Sequence, residues 1–231
     1  MRLIILCLLA VIVASTPTAS ADDSPISSDA RGQHIALEVE SSNNPVFHGL
    51  EIQATGDTER RWVNLRGPAF VSIPMKESPE PAFLTWYTIR KPKSETPKRI
   101  KLRDAYSGDR EFTVSTSAPA FFLMPAQRLG DGPPAEVPES LNHFIAFEIA
   151  DPESLALPEP TPGRPRYICL PAEEWHHEEH FPVKDSTACL MVYEAPEADD
   201  SPRVSVIDQF GLNKLSTAKK RLIYANGCLS R

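Results

Sequence analysis

The sequence predicts an all-β protein in which about four repeated antiparallel units close into a small propeller-like or barrel-like domain. Three observations carry this expectation. First, four segments share one pattern: His34–Glu40 (HIALEVE), Phe83–Ile89 (FLTWYTI), His143–Ile149 (HFIAFEI) and Cys189–Ala195 (CLMVYEA). Units that recur at a fixed period must stack on their neighbours to bury an apolar face. Second, alternating segments are followed by short turns containing glycine, which is the signature of hairpins. Third, the 23 prolines fall mainly between apolar runs, where they oppose long helices and remove ladder donors.

In chain order, the first residues read as an export signal. Met1-Arg2 precedes an apolar run from Leu3 to Ala14, and Ala19-Ser20-Ala21 offers a small-residue cleavage site before Asp22-Asp23. Residues 1–21 are therefore expected to be a signal peptide. The run is shorter than the roughly 20 residues that span a bilayer, and no comparable run follows, so no transmembrane segment is expected after cleavage. Residues 22–33 are polar and read as a flexible N-terminal segment, and residues 34–231 as a single β-repeat domain. A secreted or periplasmic location follows.

Within that domain, units start near 34, 83, 143 and 189, at spacings of 49, 60 and 46 residues. Four-stranded propeller units run to about 40–50 residues, so strands and spacing agree. The second unit continues as Lys98–Asp104, the turn Ala105–Asp109, Glu111–Ser115 and Ala118–Ala126. The fourth matches it through Arg203–Asp208, the turn Gln209–Asn213, Lys214–Thr217 and Arg221–Ala225. The first unit is looser, with Gly49–Gln53, the turn Ala54–Asp57, Arg61–Leu65 and Ala69–Met75. In the third, the Pro-rich stretch Asp151–Gly163 replaces the middle hairpin and only Arg166–Ala172 recovers the last strand. About 12–16 short strands are expected at ordinary strand length. A distorted barrel or sandwich of the same hairpins competes with a propeller.

Asp208-Gln-Phe-Gly211, Phe122-Leu-Met-Pro-Ala126 with Cys169-Leu-Pro-Ala172, and the recurring first strand together resemble a family of repeat-containing bacterial exported proteins classed as a domain of unknown function. The resemblance implies a β-rich exported module and supplies no catalytic residues.

The formal net charge of −7 disfavours nucleic acid as a partner. A local basic run, Arg90–Arg103, carries seven cations against one acid but no interleaved aromatics, and reads as a solvated loop entering an exposed strand. Asp104 and Asp208 recur at equivalent turns, which suggests caps on turn amides. Trp62, Trp86, Tyr87, Phe147 and Tyr193 read as packing residues, with an exposed aromatic stripe for sugar binding as the alternative.

The one stretch with chemistry in it is Pro171–His180 (PAEEWHHEEH). Pro at its start, acids in the first turn and no β-branched residue predict a short helix over 171–180. On a helix His176 and His180 share a face, so His176, Glu179 and His180 are candidate ligands of a divalent metal; no other cofactor is implied. Without a companion helix and a third ligand, catalysis is not expected there. Export leaves Cys169, Cys189 and Cys228, an odd number, so at most one bridge forms among them. Cys169–Cys189 is the expected disulfide if the last strand of unit three pairs with the first of unit four, and Cys169–Cys228 is its rival. The functional expectation is a non-enzymatic structural or protein-interaction module whose partner is another exported protein or envelope component. The alternative is a ligand or metal binder using His176–His180.

Overall fold

The computed structural model describes residues 33–43, 47–74, 83–90, 96–130, 136–155, 157, 162–197 and 199–230. The expected signal and the segment that follows it lie outside the described residues, except that Gln33 opens the first strand. The chain is all-β: no α-helix occurs among the described residues, and the twelve strands belong to one hydrogen-bonded sheet.

In order they are β1 (Gln33–Ser42), β2 (Phe47–Ala54), β3 (Arg61–Pro74), β4 (Phe83–Ile89), β5 (Arg99–Asp104), β6 (Phe112–Leu129), β7 (His143–Ile149), β8 (Pro165–His176), β9 (Glu179–Phe181), β10 (Ala188–Glu194), β11 (Arg203–Asp208) and β12 (Gly211–Leu229). Eight of them pair in a closed cycle. β1 pairs with β12, β12 with β10, β10 with β8, β8 with β7, β7 with β6, β6 with β4, β4 with β3, and β3 with β1, all antiparallel. Closure removes the open edge that would otherwise offer unpaired amides to another chain.

Three pairs of segments expected as separate strands are single long ones. Arg61–Leu65 and Ala69–Met75 fuse, as far as Pro74, in β3; Glu111–Ser115 and Ala118–Ala126 fuse, from Phe112, in β6; and Lys214–Thr217 and Arg221–Ala225 fuse in β12. The prolines fall mainly between apolar runs and lack a ladder donor, yet Pro68 sits within β3 where it slips register against β4, and Pro119 within β6 where it slips against β7. A bulge leaves a residue out of the ladder, so a missing N–H costs nothing there and the strand bends instead of stopping. Each long strand therefore serves two neighbourhoods. The N-terminal half of β3 pairs with β2, that of β6 with β5 and that of β12 with β11, while the C-terminal halves run in the cycle.

Alternation divides the core in two directions. One set of side chains, drawn from all eight cycle strands, forms a common cluster that includes Ala36, Phe70, Trp86, Leu123, Ala146, Cys169, Val192 and Tyr224. Residues from every strand of a closed cycle meet only on its inner face. The other set points outward. Tyr87, Phe122, Phe147, Leu170 and Tyr193 pack against β2 and β5, and Leu37, Val71 and Phe83 pack against β11. Trp86 is wholly buried inside, and its indole N–H donates to Ser72 Oγ at 2.7 Å, which satisfies the one polar atom it carries.

The helix expected over 171–180 is not formed. Residues 165–176 are a strand with ladder partners on both sides, β10 and β2 on one and β7 on the other, and the chain then turns back through His177-Glu178 into β9. Helix propensity in Ala-Glu-Glu-Trp is worth a few tenths of a kcal/mol per residue, which cannot compete with ladder bonds and burial on both sides. His177 turns the corner with φ at 54°, the left-handed conformation that two-residue hairpin loops require.

Candidate functional site

Because the segment is a hairpin, the two candidate histidine ligands separate. His176 lies opposite Glu179 and Trp175 opposite His180, so parity places His176 with Glu179 on one face and His180 on the other. His176 meets Phe210 edge-on at 5.5 Å and leans on His177. Burial and the neighbouring His177 lower its pKa. His180 stacks parallel on Trp175 at 4.7 Å with Nε2 3.0 Å from Glu173 Oε2. Among the described residues no three His, Cys, Asp or Glu side chains converge on a cation site. The triad His176, Glu179 and His180 fails as a common ligand set because a helical period of four was read where the chain has a period of two.

The cysteines are corrected by the same parity. β8 and β10 do pair antiparallel, but Cys169 lies opposite Leu190. Cys169 belongs to the inner cluster and Cys189 to the outer, so the Cys169–Cys189 bridge is not formed and both are free thiols. A one-residue offset sends a side chain to the other face of a sheet. Cys228 is an exposed free thiol, and its rival bridge to buried Cys169 is absent too. Burial raises the pKa of Cys169 well above the usual thiol value and pushes Cys189 up to about 12.

Asp104 and Asp208 cap their turns as expected. Asp104 Oδ1 accepts from the amides of Tyr106 and Ser107, and Asp208 Oδ1 from that of Phe210. Each carboxylate also reaches far along the chain with its second oxygen. Tyr193 of β10 donates its hydroxyl to Asp104 Oδ2, and Tyr87 of β4 donates to Asp208 Oδ2 at 2.8 Å. Asn213 Nδ2 donates to both Asp208 Oδ2 and Tyr87 Oη at 3.0 Å. Burial raises the pKa of Asp208, and burial with the nearby Asp104 raises that of Tyr193.

Beside the second of these turns lies a buried acid the sequence reading missed. Glu174 is fully buried; Gln209 donates to its Oε1, and its Oε2 lies 3.3 Å from His143 Nε2. Burial pushes Glu174 up to about 8 and His143 down to about 4, so both are neutral at pH 7. The contact is a neutral pair, not an ion pair. His143 is also stacked on Phe122 and tilted against Phe181, which holds it dry. Tyr167–Ala172 is apolar on both registers and Glu173-Glu174 are adjacent, so nothing local separated the buried glutamate from its neighbour.

One end of the cycle opens into a cavity of about 550 Å³ whose lining includes His34, Leu84, Phe144, Leu190 and Tyr224. His34 stacks on Tyr224 at 4.8 Å. At the rim, buried Asn142 accepts from the amides of Lys184 and Asp185 and donates to the carbonyl of Asp185, so one side chain fastens the loop before β10. Nothing in the sequence singled out Asn142; its partners are more than forty residues away.

A closed cycle of paired strands with hairpins on its outer face, buried acids tied to tyrosines and a capped end defines an all-β repeat domain. Comparison gives the family: the sequence profile described as a repeat of unknown function, DUF7450, matches residues 83–226, and the chain belongs to that family. The matched span begins at β4 and ends within β12. No curated protein and no solved structure matches the chain.

Proposed function

We propose that the protein is an exported, non-enzymatic β-repeat module of the cell envelope or extracellular space that binds another exported protein. The observation that carries this reading is where four ionisable side chains sit. Asp104, Asp208, Glu174 and His143 lie inside joints between strands, bound to turn amides, tyrosines and Gln209, and so act as structural ties. The leader-like residues 1–21 support export.

The cycle of eight strands, taken as four units, supports the same reading. On that division β1, β4, β7 and β10 open the units, and β3, β6, β8 and β12 pair with the strand that opens the next. Such an array presents several hairpin surfaces on a rigid frame, which suits docking more than turnover. Fractionation of the native host with lysine-directed cross-linking and mass spectrometry tests both parts. The expected result is a chain starting near Asp22 outside the cytoplasm, cross-linked to another exported protein. A cytosolic chain that retains residues 1–21, or an exported chain with no cross-linked protein, overturns the reading.

A further inference from the structure

The face opposite the buried acids carries a feature that the interaction reading does not use. β3, β2, β8 and β9 are neighbours in that order, and their register sets Trp62, Glu51, Trp175 and His180 directly opposite one another. Residues opposed in this way share a face, so the four form one row across the strands. Adjacent strands lie about 4.8 Å apart, which makes the row roughly 14 Å long.

Trp62 is 65 % exposed, far more than any other large apolar side chain among the described residues. It is also held in place. The benzo ring of Trp62 lies across Gly49, where an added Cβ would stand 3.3 Å from Cζ2, and Gly49 has a φ of +82° that disfavours other residues. The glycine thus lets the indole lie close over the backbone, where a side chain would press on its edge. Beside it the Arg60 guanidinium lies 3.6 Å from Glu51 Oε2 and 3.7 Å over the Trp175 ring, while His180 stacks on the same ring and bonds Glu173. The row therefore runs from an open aromatic platform into planar hydrogen-bonding groups whose positions are set by stacking.

We infer that this row binds a neutral polysaccharide, one pyranose stacking on Trp62 and the following sugars crossing β2 toward β8 and β9. A pyranose has one apolar C–H face for an indole and equatorial hydroxyls at its rim. Glu51 accepts from such hydroxyls and Arg60 donates to them, the two side chains being 38 % and 52 % exposed. The composition of the row selects the occupant. A protein interface of stable size has an apolar core of several residues, whereas here a single open indole is bordered by charged groups. The formal net charge of −7 works against a polyanionic glycan.

The inference is independent of the protein-partner reading, and its test uses the purified chain alone. Isothermal titration with hexasaccharides of β-1,4-linked glucose, β-1,3-linked glucose and β-1,4-linked N-acetylglucosamine should give saturable binding with at least one. Trp62→Ala should weaken it about tenfold or more, and Arg60→Ala less, with the thermal midpoint unchanged because both side chains are exposed. Gly49→Ala, which displaces the indole without removing it, should weaken binding in the same direction. No heat with any of the three sugars, or equal affinity in Trp62→Ala, overturns the proposal.

Discussion

The hydroxyl of Tyr87 in β4 donates to Asp208 Oδ2 in the turn between β11 and β12, at 2.8 Å and across 121 residues of sequence. Tyr193 in β10 makes the same bond to Asp104 in the turn between β5 and β6. Both tyrosines are the fifth residue of a recurrent first strand, and both aspartates end the strand before a turn. The two bonds are related as donor and acceptor halves: the segment containing β4 to β6 gives Tyr87 and receives through Asp104, and that containing β10 to β12 does the reverse. Because burial raises the cost of an unpartnered carboxylate, neither turn can leave its tyrosine without loss.

Tyr87→Phe is expected to destabilise the fold by about 1–2 kcal/mol, since it removes the bonds that the hydroxyl gives to Asp208 and takes from Asn213, while Asn213 and the Phe210 amide still hold the carboxylate. Asp208→Ala should cost more, about 2–4 kcal/mol, by stripping the turn cap as well. A denaturant double-mutant cycle on Tyr87 and Asp208 should show coupling of about 1 kcal/mol, and additivity of the two changes would refute a direct tie.

The neutral pair Glu174–His143 predicts a two-sided pH dependence. Glu174 titrates at about 8 in the folded chain against 4.5 for an ordinary glutamate, so the unfolded chain loses its proton first and stability falls as pH rises from about 4.5 to 8. His143 titrates at about 4 against 6.5, so the unfolded chain gains a proton first and stability falls as pH drops from about 6.5 to 4. Glu174→Gln should flatten the alkaline side of a stability-against-pH curve, by an amount on the order of a few kcal/mol at pH 8. His143→Asn should flatten the acidic side. Parallel curves for wild type and Glu174→Gln between pH 5 and pH 8 would show that the carboxyl is not held neutral.

Thiol labelling should divide the cysteines by burial. Under native conditions a maleimide is expected to modify Cys228 within minutes, while Cys169 and Cys189, buried and with raised pKa values, react only on unfolding. Non-reducing peptide maps should contain no Cys169–Cys189 peptide.

At Gly227 an added Cβ would stand 2.6 Å from the carbonyl oxygen of Arg103 and 3.0 Å from Cys189 Sγ, where β12 is pressed between β5 and β10. Gly227→Ala should therefore destabilise by about 1–3 kcal/mol as the backbones separate. Gly130→Ala, which meets nothing within 4 Å, is the control and should leave the thermal midpoint nearly unchanged.

Much of the candidate chemistry was legible only by halves. Capping by Asp104 and Asp208 could be read because an Asx turn needs its acceptor two or three residues from its donors. The tyrosine partners could not, since nothing local ties residue 87 to 208 or 193 to 104. Glu174 and the histidines of the hairpin were misplaced for a different reason. Acids after a proline satisfy the local rules for a helix start, and those rules carry no information about a strand waiting on either side.

The sequence by itself determined the strand content, the positions of the recurrent first strands and the turns, because each depends on alternation and turn chemistry within a few residues. Observed β4 and β7 have the expected bounds to the residue. Only the tertiary structure decided that Pro68 and Pro119 sit in bulges, that residues 165–181 form a hairpin, that Cys169 and Cys189 point apart, and that Trp62 is left open over Gly49. All four depend on which strand lies alongside and in what register. A shift of one residue reverses every side chain, and the register is selected by burial summed over the closed cycle, a quantity no local stretch of chain contains.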